Sequence, residues 1–299
     1  MALDDSRARI AIWTEVVPML SIEHPFLMHG LLAVSAAHIA HTEPDLRSSY
    51  LAIAHIHHDR GLELFQQLDA ACASRPAPGL QEAKVMFILM KTVLSLALVE
   101  RTRDAEGDLD SFADWLATLS TSFRSAHQLY NEVLNRPDSR ISALLRRPED
   151  GPAELSTLDE DLAASLDMLD ARNRANGYTL PVDREHVSEA NSNIKLWMSL
   201  VSLRPRTAIF VAMGAMNLGD EFFRLVRQRN PEALILMAHF LVPMSRMPKR
   251  WFWEGWFDGT IVAILRILPT EEWQKHLKWV RENVNASDCS ISSSGGDIS

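Results

Sequence analysis

Residues 80–100 have the sequence LQEAKVMFILMKTVLSLALVE, and this stretch decides the fold class. Apolar side chains cover most of the circumference that it would have as an α-helix, which is typical of a helix enclosed by other helices. Lys91, Thr92 and Ser95 interrupt the apolar run at 85–99, which is also shorter than the roughly 18 to 20 residues that a bilayer span needs. We therefore predict a central helix of an all-α protein and no membrane span.

The same helical spacing extends from this stretch in both directions. Apolar residues recur every three and four positions, and no sustained alternation of apolar and polar residues predicts a strand. Pro25 suits the first position of a helix, and Asn230 and Thr270 suit N-caps. We expect a multi-helix orthogonal bundle of about ten helices with an internal hydrophobic pocket. The predicted helices are 25–41 and 46–71, which form a hairpin, then 80–100, 109–130, a short acidic helix after a capping box at 157–160, 194–203, 208–226, 233–244, 253–268 and 271–284.

The composition is that of a globular protein. The 299 residues are 47% apolar and 23% charged, enough to bury a core that holds a cavity. We predict a flexible N-terminus at 1–9, a single all-helical domain at 10–285 and a disordered Ser/Gly-rich tail at 286–299. The two cysteines, Cys72 and Cys289, exclude a disulfide framework or a cysteine-held metal cluster. Since no secretory signal is recognisable, we expect the nucleus or the cytoplasm.

Two polar clusters raise the question of metal-dependent chemistry. His38 and His41 can share a helix face with a nearby carboxylate, but no HExxH sequence, second spaced pair or nearby cysteine accompanies them. The acidic runs at 104–110 and 159–161 lack the acidic pair repeated one turn later that a magnesium-dependent terpene cyclase would use. We interpret both runs as solvated faces and predict neither a metal nor a cofactor.

Methionine and aromatic residues concentrate at 80–100 and on the C-terminal helices. Such side chains can form an adaptable wall around an apolar guest, or they can fill a core, and their spacing alone favours the core. Lys91 and His239, each inside an apolar run, could give a guest single polar contacts. The candidate ligand-binding residues are Met86, Phe87, Met90, Lys91, Phe210, Met213, Met237, Phe240, Met244, Trp253, Trp256 and Phe257.

The densest aromatic run is WFWEGWFDG at 251–259. On a helix, Trp253, Trp256 and Phe257 would share one face, and Gly255 would permit the close approach of a backbone or of a flat ring system. These rings either dock the helix onto the core or form a wall against a guest. If the chain is an enzyme, its candidate catalytic residues are His239, Glu254 and Asp258.

Three stretches occur in a recognisable order along the chain. They are HPFLMHGLLAVSAAHIA at 24–40, followed by Tyr50, Ala54, His57 and Phe65; PEALILMAHF at 231–240; and WEGW at 253–256, followed by Trp273 and Trp279. Together they resemble the regulatory domain of fungal binuclear zinc-cluster transcription factors of the sterol uptake control type. The resemblance implies an all-helical, often dimeric domain whose hydrophobic pocket lies between C-terminal helices, takes a sterol-like molecule and controls transcription.

The resemblance also exposes a difference. Members of that family carry a zinc cluster held by six cysteines, and this chain has two cysteines. Our leading hypothesis is a ligand-sensing, transcription-regulator-like protein without its own DNA-binding zinc cluster, which binds a sterol, terpenoid, polyketide or other apolar metabolite and can form a homodimer. One alternative is a metal-independent pocket enzyme of fungal secondary metabolism, a cyclase or pericyclase that acts by orienting its substrate. The other is a scaffold that only dimerises.

The charge of the chain predicts its behaviour towards DNA. The net charge is −9, and the basic residues are scattered in ones, twos and short groups instead of forming one stripe. The chain alone should therefore leave the mobility of duplex DNA unchanged at low salt. Submicromolar binding that weakens steeply with salt would contradict this prediction.

Overall fold

The computed structural model describes residues 10–71, 79–99, 105–145, 158–176, 180–200 and 214–284, and every regular element within these ranges is helical. The all-α prediction is confirmed. None of the described helices is both long enough and apolar enough to cross a membrane. The predictions for 1–9 and 286–299, and those for Phe210, Met213 and both cysteines, lie outside the described residues.

The helices follow one another along the chain as a series of mostly long segments. After a π-helical turn at Ile12–Val16 they are α1 (Val17–Glu23), α2 (Pro25–Thr42), α3 (Arg47–Ala71), α4 (Leu80–Ala97), α5 (Ala105–Asn135), α6 (Ser142–Leu145), α7 (Glu160–Asn176), α8 (Pro181–Leu200), α9 (Asp220–Arg227), α10 (Pro231–Ser245), α11 (Trp256–Ile267), α12 (Glu271–Gln274) and α13 (Lys278–Asn283), with a 3-10 turn at Pro44–Leu46 between α2 and α3.

The predicted hairpin of α2 and α3 is confirmed, and α4 packs against α2. Two glycines allow the three helices to meet closely. A Cβ atom on Gly30 of α2 would lie 2.9 Å from the Phe87 ring of α4, and one on Gly61 of α3 would lie 3.0 Å from the same ring. The Phe87 ring therefore occupies the space that side chains at positions 30 and 61 would need, and it packs α4 against the hairpin.

The α10 helix is enclosed on every side. All its side chains from Glu232 to Met244 are buried, and α7, α8, α9, α11 and α13 pack around it. Its predicted N-cap is confirmed, because Asn230 Oδ1 accepts a hydrogen bond from Ala233 N at 2.9 Å. The predicted cap at Thr270 makes no such side-chain bond. The central helix is thus α10, whereas α4, which we predicted to be central, keeps one half-buried face.

Two carboxylates that the sequence analysis assigned to solvated faces, Asp110 and Asp159, hold helix ends in place, and so does Asp114. Arg229 has a φ of 60° in the turn between α9 and α10, and both Nη atoms bond to the Asp110 carboxylate of α5, at 2.5 and 3.0 Å. Arg227 bonds to Asp114 on the same helix at 2.9 Å. Asp159 Oδ1 accepts from Leu162 N at 2.9 Å and so caps α7. These aspartates are structural, because each one has a partner that fixes an adjacent element.

One buried carboxylate joins the start of α4 to the loop after α5. Glu82 is 3% exposed and accepts three hydrogen bonds from Arg140, from the backbone N at 2.6 Å, Nε at 2.9 Å and Nη2 at 2.7 Å. Gly79 has a φ of 74°, and a Cβ atom there would lie 2.6 Å from Arg140 Nη2. The arginine therefore occupies space that only a glycine at this position leaves open.

Removing Arg140 tests this anchor. Arg140→Met should lower the free energy of unfolding by about 2 kcal/mol, because it leaves the buried Glu82 carboxylate without its partner while Arg140 itself is partly solvated. The matched control is Arg60→Met, which removes an exposed pair with Glu63 on α3 and should change the stability little. Urea unfolding measures the free energy of unfolding of both variants. Equal losses of stability would show that the burial of Glu82 does not make its ion pair stronger than an exposed one.

Candidate functional site

The first candidate site is a cavity of about 410 Å³ between the α2–α3 hairpin, the end of α4 and the turn that precedes α11. We call it the tryptophan cavity. Nine of its twelve wall residues have apolar side chains, but polar atoms make up the larger part of the surface that faces the cavity. The wall residues are Ala37, Ala40, His41, Arg47, Leu51, Leu96, Ala97, Val99, Trp251, Phe252, Glu254 and Trp256.

The turn at 251–255 gives the tryptophan cavity its aromatic wall. We predicted one helix over this run, but α11 begins at Trp256, and Gly255 before it has a φ of 77°. This left-handed conformation is costly for other residues, so the backbone itself requires glycine at this position. Trp253 therefore does not share a helix face with Trp256. Its Nε1 donates to Pro248 O at 3.3 Å, and its ring contacts Phe257 at 5.7 Å.

Trp256 and Trp251 contact different partners at this wall of the tryptophan cavity. The Trp256 ring stacks on Phe112 of α5 at 5.8 Å, which ties α11 to the core. The half-buried Trp251 ring contacts His38 at 5.3 Å and His41 at 5.9 Å. The spacing of these two histidines thus places both rings against an indole. In the described ranges, no group of three or more potential ligands could hold a metal ion.

Polar groups of the tryptophan cavity lie mainly at its rim. Arg47 and Glu254 are exposed, and His41 lies beside Trp251. The Trp251 Nε1 is buried, and no described residue accepts its hydrogen bond. A buried donor without an acceptor is costly, so an acceptor for this N–H group would stabilise the structure.

The second candidate site is a larger, more open cleft of about 790 Å³ between α3, α4, α5 and α9. We call it the lysine cleft. It shares no wall residue with the tryptophan cavity. One wall is the half-buried face of α4, and the facing wall is a row of small and hydroxyl-bearing residues on α5. The wall residues are Phe65, Lys84, Ile88, Lys91, Ala117, Thr118, Thr121, Ser122, Ser125, Ala126, Leu129, Asp220 and Arg227.

Most of the candidate ligand-binding residues lie in the core and not at either cavity. The five described members that are at most 1% exposed are Met86, Met90, Met237, Phe240 and Met244, and Phe87, Trp253 and Phe257 are also buried. Among the described candidates, Trp256 reaches the tryptophan cavity and Lys91 reaches the lysine cleft. Ligand contact by the others stays a prediction.

The three candidate catalytic residues lie in different surroundings. His239 of α10 is fully enclosed: its Nδ1 donates to Ile235 O at 2.8 Å, so its Nε2 accepts from Ser165 Oγ at 2.9 Å. Its ring also stacks on Trp279 at 5.5 Å. Glu254 lies on the wall of the tryptophan cavity, and Asp258 is half-buried in the first turn of α11. His239 therefore has the contacts of a structural histidine.

The sequence analysis missed the small side chains that create the tryptophan cavity. Ala37 and Ala40 lie on one face of α2, three residues apart, and Ala97 closes α4. Their spacing was visible within AAHIA at 36–40, but nothing local showed that this face meets the turn at 251–255. Trp251 and Phe252, in the quoted aromatic run, were also not among the candidates.

Comparison with known proteins finds similarity over one short stretch. A segment of 35 residues is 54% identical to Sterol uptake control protein 2 of Candida albicans and covers 12% of this chain and 5% of the relative. The protein of the same name from Saccharomyces cerevisiae is 51% identical over 35 residues, which are 12% of this chain and 4% of that relative. No protein-family model matches the chain, and no solved structure does. The similarity supports a transcription-regulator-like region, while the chain matches only a small fraction of either relative's length.

Two buried histidines predict how stability depends on pH. Burial lowers the pKa of His239 to about 4, and burial likewise lowers the pKa of His276 to about 4. Both His276 ring nitrogens are buried without a hydrogen-bond partner among the described residues. Because histidine titrates near 6.5 when unfolded, the unfolded chain binds more protons between about pH 6.5 and 4. The free energy of unfolding should fall as the pH is lowered through this window, and these groups should have no effect above it.

Urea unfolding at pH 7, 6 and 5 measures this dependence. His276→Leu should make the fall with pH shallower, because it removes one of the two buried titrating groups. His127→Leu, at an exposed position on α5, is the matched control and should leave the slope unchanged. Identical slopes in the wild type and in His276→Leu would contradict the prediction.

Proposed function

We propose that the chain is a ligand-sensing, transcription-regulator-like protein that binds a sterol or another apolar metabolite in the tryptophan cavity and acts in the nucleus. The observation that carries the proposal is a cavity whose wall includes the rings of Trp251, Phe252 and Trp256. The short similarity to two sterol uptake control proteins supports the regulatory part of the proposal.

The shapes of the wall residues favour a flat, rigid guest. Indole and phenyl rings and the short side chains of Ala37, Ala40 and Ala97 contribute to the wall, and a flat ring system can stack on such aromatic surfaces. Each Å² of apolar surface that a guest buries there contributes about 25 cal/mol. A fused-ring hydrocarbon loses little conformational freedom on binding, so it avoids the ordering cost that a flexible guest adds to the translational and rotational cost of association.

The polar groups favour a guest with one oxygen. His41, Arg47 and Glu254 line the cavity, and each can exchange a hydrogen bond with an oxygen of a guest. A hydroxyl or carbonyl oxygen on an otherwise apolar body would use such a group without adding a buried charge. A sterol has this distribution of polarity.

The position of the tryptophan cavity suggests how occupancy could be transmitted. Its walls come from the α2–α3 hairpin, from α4 and from the turn before α11, so a guest contacts three parts of the fold. A ligand that binds one arrangement of these parts more tightly shifts the population towards it. The two cysteines of the chain cannot form a six-cysteine cluster, so we propose that DNA contact is made outside this sequence.

A cavity-filling variant tests the proposed site. Ala97→Phe adds a ring at the half-buried end of α4 and should weaken binding of the fluorescent sterol dehydroergosterol by about tenfold or more, because the guest and the ring compete for the same space. The matched control is Ala117→Phe, which adds the same ring to the lysine cleft and should leave sterol affinity unchanged. Fluorescence titration measures affinity, and thermal melting confirms that both variants fold.

Three outcomes would contradict the proposal. They are no saturable binding of the sterol, equal affinity in the wild type and Ala97→Phe, or loss of binding in Ala117→Phe alone. Release of a chemically altered product from a bound metabolite would instead favour the pocket-enzyme alternative.

A further inference from the structure

The lysine cleft contains a positive charge, on Lys91, for which the described part of the chain supplies no counter-ion. Lys91 is half-buried on its wall, and among the described residues it has neither an ion pair nor a hydrogen bond. Lys84, Ile88 and Lys91 are spaced four and three residues apart, so one face of α4 presents two ammonium groups with an apolar side chain between them. Burial lowers the pKa of Lys91, since water no longer fully solvates its charged form.

Asp220, the acidic residue on the wall of the lysine cleft, does not pair with Lys91. Asp220 of α9 lies 2.7 Å from Arg124 Nη2, which satisfies its charge. Arg227, the third cation of the cleft, is paired with Asp114 at 2.9 Å. Burial lowers the pKa of the His58 ring, the adjacent Asp59 raises it, and the charges of His55 and Lys91 lower it. Lys91 thus has no carboxylate partner among the described residues, in a chain whose net charge is −9.

The facing wall on α5 combines hydrogen-bond donors with apolar surface. The hydroxyls of Ser122 and Ser125, three residues apart, make no hydrogen bond to a described residue. Leu129 lies one turn beyond them, and Phe65 closes the same cleft from α3, with Lys84 Nζ 5.9 Å from its ring centroid. A guest in this cleft would thus meet a cation and hydroxyls on one part of its surface and hydrocarbon on the rest.

We propose that the lysine cleft is a second binding site, for an amphipathic carboxylate, in which Lys91 is the counter-ion, Ser122 and Ser125 donate hydrogen bonds to the carboxylate, and Phe65, Ile88 and Leu129 contact the hydrocarbon body. This site is separate from the tryptophan cavity and does not depend on the function proposed for it. Charge-assisted hydrogen bonds in a partly desolvated cleft are stronger than those between neutral groups, so the carboxylate is the preferred head group.

Dodecanoate and dodecanol test the proposal, because they share a hydrocarbon chain and differ in charge. Isothermal titration of the whole chain, below the concentration at which dodecanoate forms micelles, should show tighter binding of the anion. Lys91→Met keeps most of the aliphatic stem and should weaken dodecanoate binding by about tenfold or more, with little effect on dodecanol. Lys278→Met, on the exposed face of α13, is the control and should change neither affinity.

Two further variants locate the anion. Ala117→Phe narrows the lysine cleft and should reduce dodecanoate binding, whereas Ala97→Phe in the tryptophan cavity should not. Equal affinity for the two probes, an unchanged dodecanoate affinity in Lys91→Met, no binding of dodecanoate at all, or loss of its binding in Ala97→Phe would each overturn the proposal. Dehydroergosterol binding by Lys91→Met should remain at the wild-type level, so failure of this site can be told from failure of the sterol site.

Discussion

The α10 helix has no solvent-facing side, and the rest of the architecture must satisfy that constraint. Its side chains from Glu232 to Met244 are all buried, so the packing around it has to supply both apolar contacts and partners for its polar groups. His239 obtains its partners from Ile235 on its own helix and from Ser165 on α7. Asn230 caps the first turn, and the Arg229–Asp110 pair fixes the chain just before it. An internal polar group left unpaired would be expensive, so these bonds specify how α5 and α7 meet α10 and the turn before it.

This enclosure separates the core from the candidate binding sites. The methionines of α4 and α10 fill the interior, as close packing requires, and both cavities lie where long helices diverge from that interior. At the tryptophan cavity, alanines leave room between the hairpin and the turn at 251–255. At the lysine cleft, small α5 side chains face the half-buried side of α4. Small residues opposite larger ones, and not a wall of methionine, create the space in each case.

The sequence predicted what depends on local chemistry. Pro25 and Asn230 start helices at the expected positions, the α2–α3 hairpin forms, and the aromatic run does provide one wall of a cavity. Contacts between distant residues could not be predicted in this way. The apolar spacing around Met237 would be the same whether its side chain fills a packed core or lines a cavity, because both environments select apolar residues. Likewise, WEGW is compatible with helix until the left-handed conformation of Gly255 is known, and Asp110 gains its role only when α9 lies beside α5.

Photochemical labelling with a diazirine-bearing sterol tests the central claim, that an apolar guest occupies the tryptophan cavity. After irradiation, proteolysis and mass spectrometry locate the modified residues on the intact chain. The account predicts labelling within 251–256 and 96–99, the segments that bring Trp251, Trp256 and Ala97 to the cavity wall, and loss of that labelling when unlabelled sterol competes. Labelling confined to 84–91 and 117–129, or labelling that unlabelled sterol does not reduce, would contradict it.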